Sequence, residues 1–304
     1  MPCCQIESKK EKNRSNPQHL FPFGELAFVF SFSILGLMND LQHFLWPDGK
    51  QFAVTFSYDD GQIQDEKLVG LLNQYGLKGT FHLNSGYLGT ENFIKKENLA
   101  SLYSGHEVAC HSYHHPWLEK LPMEKVFSEF LEDRRELEDL TDSIVRGMSY
   151  PYGAYDSKSI EIIKKTGIIY GRTVKSHEGF HLPDDWMEWH PTCHDKRLTE
   201  NWIDRFFTLS RKLGPQLLYV WGHSFEFEQE SQWERFEKLL GSIAKQAKSY
   251  WAATNLEIYR YTEAARNLEF SVNGKRLYNP SAHKVWLRVS EKIICIRSGE
   301  EMSL

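Results

Sequence analysis

The stretch AVTFSYDDG, residues 53–61, decides the fold of this chain. Its first six residues are β-branched, aromatic or small, which predicts a strand, and the Asp-Asp-Gly at its end predicts a turn. Adjacent side chains in a regular strand point to opposite faces, so Asp59 and Asp60 share one pocket only where the strand breaks. Gly61 provides that break, because glycine tolerates backbone conformations that other residues avoid. The stretch therefore predicts two carboxylates at the end of a buried strand.

A second stretch, EVACHSYHHP at residues 107–116, also begins as a predicted strand and then carries His111 and His115, four positions apart. Pro116 disfavours helical backbone at His115, so we expect both histidines at a strand end and the tight turn after it. Two imidazoles and one carboxylate suit a borderline divalent ion such as zinc, and three protein ligands leave one position open for water. Together the two stretches predict a mononuclear hydrolase site.

These stretches resemble the first two motifs of the polysaccharide deacetylases, also called family 4 carbohydrate esterases. The resemblance implies a distorted (β/α) barrel of about seven parallel strands that removes N- or O-linked acetyl groups from sugars. It implies that Asp59 is the general base and that Asp60, His111 and His115 bind one divalent metal ion, with zinc expected. Water bound to that ion, with its pKa lowered toward about 7, would be the nucleophile.

The run YPYG, residues 150–153, resembles the third motif of the family. This resemblance implies that the backbone N–H of Tyr152 helps to hold the oxyanion. The family usually carries an Arg two residues before this proline, where it pairs with the base, but Ser149 stands there. Another group must then hold Asp59, or the pKa of Asp59 differs from the family's. Arg146 is near in sequence, although it need not reach the base.

The pair Asp185 and Trp186 resembles the fourth motif, in which an Asp orients the acid histidine and a Trp lines the pocket. The run WHPTCHD, residues 189–195, is an alternative source of the orienting group. Either His194 or Asp195 could take that role.

The run LYVWGH, residues 218–223, resembles the fifth motif and implies that His223 is the general acid. Trp221 replaces the usual leucine there and would narrow or reshape the acetyl pocket. The five motifs extend over roughly residues 50–260, and their order is a stronger signal than any one of them.

Alternating strand-like and helix-like segments predict a parallel barrel, with functional residues at the carboxyl-terminal ends of its strands. Residues 268–277 predict a hairpin with an Asn-Gly turn that belongs to a small C-terminal β appendage. Helices are predicted at residues 67–75 and 124–140, and strands at 79–84, 168–174, 216–227, 251–261, 285–289 and 292–296.

The predicted organisation is an N-terminal extension at residues 1–45, the barrel at 46–265 and the appendage at 266–304. Residues 26–38 form an apolar run that is long enough for a signal-peptide core but short for a membrane span. If this run is a signal or an anchor, we expect a secreted or membrane-anchored protein. The alternative is a start near Met38 and a cytoplasmic protein.

Length and composition agree with one barrel and exclude some partners. A chain of 304 residues can bury one large core. A formal net charge of -5 gives no sign of nucleic-acid binding, and no protein partner is indicated. The five cysteines show no paired spacing apart from Cys3 and Cys4, so no disulfide framework is predicted.

Three functions remain open on the sequence. The first is a metal-dependent hydrolase that removes acetyl groups from a carbohydrate, which would make an acetylated carbohydrate the partner. The second is a hydrolase of a small non-sugar amide or cyclic imide on the same fold, favoured by the missing Arg and by Trp221. The third is an inactive carbohydrate-binding protein, which the pairing of Asp59 with His223 disfavours, because a binding protein needs neither base nor acid. A membrane is involved only if the N-terminal segment is an anchor.

Overall fold

The computed structural model describes residues 44–210, 214–290 and 292–304. The predictions on the apolar run 26–38 lie outside the described residues. Within the described part, none of the helices has both the length and the apolar character that a membrane crossing needs.

The described residues form strands and helices in alternation through most of the chain. The strands are β1 (Phe44–Leu45), β2 (Phe52–Asp60), β3 (Gly79–Leu83), β4 (Glu107–Cys110), β5 (Gly147–Ser149), β6 (Tyr170–Arg172), β7 (Cys193–His194), β8 (Gln216–His223), β9 (Tyr250–Ala252), β10 (Glu269–Phe270), β11 (Arg276–Tyr278), β12 (Val285–Val289), β13 (Lys292–Ile296) and β14 (Glu301–Ser303). The α-helices are α1 (Asp65–Gln74), α2 (Leu99–Leu102), α3 (Met123–Thr141), α4 (Ser157–Lys165), α5 (Glu200–Phe207), α6 (Ser224–Gln229), α7 (Trp233–Ala244) and α8 (Asn255–Arg266).

The central sheet is parallel throughout. Its strands lie in the order β6-β5-β4-β3-β2-β8-β7, and β9 pairs with the first residues of β2. Beyond β6 the sheet continues through Trp189, which donates a backbone hydrogen bond of 2.9 Å to Gly171 O. Thr192 then bonds to Tyr219 of β8, so the sheet curls toward closure. The predicted distorted barrel of about seven parallel strands is confirmed, and the carboxyl-terminal ends of its strands share one rim.

Three predicted strands were too long, and the one at residues 168–174 is observed only as Tyr170–Arg172. The prediction at residues 216–227 is correct only to His223, where α6 begins, and the prediction at 251–261 is correct only to Ala252. The last of these errors has a local cause. Thr254 and Glu257 form a reciprocal capping box that starts α8, and this outweighs the strand preference of the aromatic residues that follow.

The small appendage consists of two antiparallel sheets, in the orders β1-β12-β13 and β10-β11-β14. The predicted hairpin is present, because β10 pairs with β11 across the turn that contains Gly274. Its apolar side chains, among them Leu277 and Leu287, share a core with Trp46 and Tyr261, so it packs on the barrel. The division into units at residues 46–265 and 266–304 stays a prediction.

Candidate active site

Asp59 and Asp60 end the central strand β2 at the shared rim. In register, Asp59 lies beside His82 of β3 and His223 of β8. Asp60 has φ of 81° and Gly61 has φ of 77°, so the strand breaks at this pair, as the sequence predicted. The break brings both carboxylates to one pocket, where Asp59 Oδ2 is 3.9 Å and Asp60 Oδ1 3.6 Å from the Nε2 atom of His111.

The three predicted metal ligands converge. Asp60 Oδ1 lies 3.6 Å from His111 Nε2 and 3.9 Å from His115 Nε2. Ligand atoms around one tetrahedral zinc ion lie about 3.4 Å apart when each bond is about 2.1 Å long. The spacing and the chemistry of these donors therefore fit a divalent ion. The turn after β4 achieves this through positive φ angles of 64° at Ser112 and 54° at His115.

Hydrogen bonds fix the tautomer and the position of His111. Its Nδ1 lies 2.9 Å from the carbonyl oxygen of Ser149 and 2.7 Å from the Ser149 hydroxyl. A carbonyl oxygen only accepts, so Nδ1 carries the proton and Nε2 presents its lone pair to the ligand cluster. The backbone N–H of His111 donates to the buried carboxylate of Asp133 over 3.0 Å.

The counter-charge of Asp59 comes from Arg172 at the end of β6. Its guanidinium donates to Asp59 Oδ2, is fully buried, and lies 4.4 Å above the ring of Trp221. Ser149 donates its hydroxyl to the other carboxylate oxygen of Asp59 over 3.0 Å. Burial alone would raise the pKa of Asp59, but the charge of Arg172, followed by those of the surrounding histidines, lowers it well below its usual value. Arg172, and not Arg146, thus fills the place of the missing family arginine.

His223 lies beside Asp59 at the end of β8, the strand that pairs with β2 on the side away from β3. Its Nε2 is 3.9 Å from Asp59 Oδ2, and its Nδ1 is 3.6 Å from Oε2 of Glu226. Burial lowers the pKa of His223, but the contact with Glu226 and the charge of Asp59 outweigh burial and raise it overall.

Tyr152 lies at the mouth of the pocket, in a short turn at Pro151–Gly153. Its ring is 4.3 Å from the ring of His115 and stacks on Trp117, with ring centroids 4.4 Å apart and an interplanar angle of 7°. Both aromatic side chains of this pair are exposed, Tyr152 by 52% and Trp117 by 43%.

The structure does not bring Asp185 and Trp186 to this cluster. Asp185 caps a short turn by accepting from Met187 N, and the indole of Trp186 donates to Glu263 of α8. The third weaker candidate, Trp221, does lie beside the cluster, with its ring 5.8 Å from that of His223.

Sequence reasoning missed Arg172, Glu226 and Trp117 as neighbours of the cluster. An arginine inside the predicted strand 168–174 was a usable signal, because a charged residue in a buried strand needs a partner. Glu226 stands three positions after His223, a spacing that becomes informative only if the segment is helical.

Carboxylates and imidazoles gathered at the carboxyl-terminal rim of a parallel barrel are the arrangement of barrel enzymes. A model of the polysaccharide deacetylase family matches residues 47–171. This part of the chain is similar to the family, and the resemblance predicted from the motifs is confirmed.

Two curated relatives match over part of their length. The peptidoglycan-N-acetylglucosamine deacetylase PgdA of Listeria monocytogenes is 29% identical over 115 residues, which cover 38% of this chain and 24% of PgdA. YxkH of Bacillus subtilis, a candidate polysaccharide deacetylase, is 23% identical over 125 residues, which cover 40% of this chain and 45% of YxkH. The chain thus spans less than half the length of these curated relatives.

Two solved structures show the same fold. A candidate polysaccharide deacetylase from Mycobacterium smegmatis is similar over 73% of this chain and 93% of its own, with a TM-score of 0.56 and 18% identity. The chitin deacetylase of Colletotrichum lindemuthianum is similar over 68% of this chain and 87% of its own, with a TM-score of 0.50 and 19% identity.

Proposed function

We propose that this protein is a metal-dependent hydrolase that removes acetyl groups from a carbohydrate. The observation that carries the proposal is the convergence of Asp60, His111 and His115 beside a second carboxylate, Asp59, and a third imidazole, His223. Ligands alone would suit a structural site. A base and an acid placed next to the ligands suit hydrolysis.

Asp60, His111 and His115 would hold the ion. A divalent ion bound there would polarise the acetyl carbonyl and make water in the pocket a better nucleophile. The contact between Ser149 and His111 Nδ1 supports this assignment, because it leaves Nε2 free to act as a ligand.

Asp59 is proposed as the general base. Arg172 and Ser149 each occupy one of its oxygens, so the carboxylate is fixed and remains ionised. Each oxygen keeps lone pairs that can accept a proton from the attacking water. Because burial leaves Asp59 only 2% exposed, the transferred proton is kept from bulk solvent.

His223 is proposed as the general acid. Its Nε2 faces the pocket beside Asp59 and can deliver a proton to the nitrogen of the leaving amine. An ester needs that proton less, because an alkoxide leaves more easily than an amide anion. The backbone N–H of Tyr152 is proposed to donate to the oxyanion, a contact worth on the order of 3 kcal/mol.

The choice of a carbohydrate rests on the family and on the mouth of the pocket. The names of PgdA and of the fungal relative identify N-acetylated polysaccharides as the substrates of those proteins. Trp117 and Tyr152 place exposed aromatic surface next to the metal ligands, where a sugar ring could pack. The missing family arginine favoured a small amide as the substrate. Arg172 supplies that positive charge from another strand, so the argument for a small amide is weaker.

The test measures metal content and acetate release together on N- and O-acetylated oligosaccharides and on small cyclic imides. We expect one divalent ion per chain and acetate release from a sugar, both lost in His111→Ala. His114→Ala is the matched control, because His114 lies in the same turn but contacts Glu129. Bound metal with turnover of imides alone would contradict the carbohydrate substrate, and no bound metal would contradict the site.

A further inference from the structure

Glu226 lies between two imidazoles at the edge of the pocket. Helix α6 starts directly after His223, so Glu226 returns to that histidine after about one helical turn. Its Oε2 atom is 3.6 Å from His223 Nδ1 and 3.3 Å from His194 Nε2. Its Oε1 atom is 3.1 Å from Lys196 Nζ.

We propose that Glu226 is the positioning residue of His223, in the role that the family motif suggested for Asp185. The proposal rests on the proposed function, in which His223 is the acid. A carboxylate at Nδ1 orients the ring so that Nε2 faces the substrate, and it stabilises the protonated imidazole. The separation of 3.6 Å is long for a hydrogen bond, and such contacts in ligand-free sites tighten when substrate binds.

His194 keeps this carboxylate charged. Its Nδ1 lies 3.0 Å from Oδ1 of Asp195, so the imidazole stands between two carboxylates. Burial lowers the pKa of His194, but its contacts with Asp195 and Glu226 raise it to about 9. Burial raises the pKa of Glu226, whereas its contacts with His194 and His223 lower it well below the usual value. A cationic His194 thus holds Glu226 as an anion facing His223.

The charged and titratable groups that face His223 come from two strands, one turn and one helix. Asp59 and Asp60 face it from β2, Glu226 from α6, His115 from the turn after β4, and His194 from β7, with its ring 6.3 Å away. Glu226 is the acidic group on the Nδ1 side, and Asp59 lies on the Nε2 side. Removing the carboxylate of Glu226 therefore changes the surroundings of His223 Nδ1 and leaves Asp59 beside Nε2.

A second ion is the competing explanation for this cluster. Ligand atoms of His194, His223 and Glu226 all lie within 4.8 Å of one another. The ammonium group of Lys196 on Glu226 already neutralises part of the charge that would attract an ion. A protonated His194, with both nitrogens directed at carboxylates, has no lone pair for a metal. We therefore favour a carboxylate that faces two imidazoles over a second ion site.

The test compares Glu226→Gln with two controls by activity and by NMR titration of His223. Glu228 lies on the same helix and accepts a hydrogen bond from the indole of Trp233, so Glu228→Gln is one control, and Asp185→Asn, which removes the rival positioning residue, is the other. In Glu226→Gln we expect kcat on an N-acetylated sugar to fall by about 10²-fold with KM little changed. Loss of the carboxylate lowers the pKa of His223, so the alkaline limb of the kcat profile should move about one unit to lower pH. Hydrolysis of an activated acetyl ester should fall much less, and Glu226→Asp should restore part of the shift.

The NMR titration separates this proposal from the proposed function. If wild type releases no acetate but Glu226→Gln lowers the pKa of His223, the positioning role stands and the hydrolase fails. An unchanged His223 titration in Glu226→Gln would overturn the positioning role. So would a shift seen only in Asp185→Asn, or a second bound ion in wild type that Glu226→Gln removes.

Discussion

Arg172 and Asp59 form a buried ion pair although three strands separate β6 from β2 in the sheet. The pair spans the mouth of the barrel and exists only because the sheet curls. It brings a counter-charge to the proposed base from a strand that the family pattern does not use. The guanidinium packs on the ring of Trp221, the residue that stands where the family usually has leucine.

The first prediction concerns the stability of this pair. Arg172→Met leaves the charge of Asp59 buried and unpaired, so we expect unfolding to become easier by about 3–5 kcal/mol. Asp59→Asn in the same background removes the stranded charge, so the double variant should be less destabilised than the sum of the two single variants. Urea unfolding of all four proteins measures the coupling. Additivity within about 0.5 kcal/mol would contradict a direct pair.

The second prediction concerns Ser149. Its hydroxyl is one of two acceptors for His111 Nδ1, so Ser149→Ala should weaken binding of a divalent ion by about tenfold without abolishing it. Competition against a chelating dye measures this affinity. Ser101→Ala is the control, because the Ser101 hydroxyl donates to Asn98 O at the surface. Equal affinities in both variants would exclude Ser149 from the metal site.

The third prediction concerns the aromatic pair at the pocket mouth. Trp117→Ala should raise KM for acetylated oligosaccharides several-fold with little change in kcat, because it removes a binding surface and no reacting group. Stability should change by less than about 1.5 kcal/mol, the value of an aromatic pair. Trp117→Phe should retain most of the affinity, and exposed Val272→Ala should change nothing. An unchanged KM in Trp117→Ala would remove this surface from the binding site.

The fourth prediction concerns pH and Glu107, which lies far from the proposed ligands. Burial raises its pKa to about 7, although bonds from Leu256 N, Tyr170 and Thr80 oppose this. The folded state therefore holds a proton on Glu107 that the unfolded state releases near pH 4.5. The contribution of this proton to the stability of the fold is full below that pH and is lost as pH rises through 7. Between pH 4.5 and 8, the free energy of unfolding of Glu107→Gln should rise relative to that of wild type by up to about 3 kcal/mol.

Urea unfolding at several pH values tests this difference. Glu91→Gln is the control, because Glu91 is exposed. A pH-independent difference between Glu107→Gln and wild type would contradict a raised pKa of Glu107 in the folded state.

The predictable part of the site is the part that is local in sequence. Asp59 and Asp60 follow from a strand that breaks at glycine, and His111 and His115 from a turn that a proline enforces. Their convergence then follows from parallel strands that share a rim. The pairing of Asp59 with Arg172 depends on how far the sheet curls, which no local pattern encodes.

Glu226 was missed for a different reason. Residues three apart in a strand point to opposite faces, so a strand predicted through residue 227 placed Glu226 away from His223. In a helix the same spacing puts both on one face. The assignment of Asp185 relied on a two-residue resemblance, whereas the chain around it folds as a capped turn against α8.

The Ser149 hydroxyl touches both the proposed base and a proposed ligand, since it donates to Asp59 and accepts from His111. Occupancy of the ion site and proton affinity of the base are therefore linked thermodynamically through one oxygen atom. Reciprocity requires that whatever ion loading does to the protonation of Asp59, protonation of Asp59 does to ion loading. Because Arg172 keeps the pKa of Asp59 well below its usual value, a mildly acidic medium would leave the base charged, and loss of the ion would reach Asp59 through the Ser149 hydroxyl rather than through protonation.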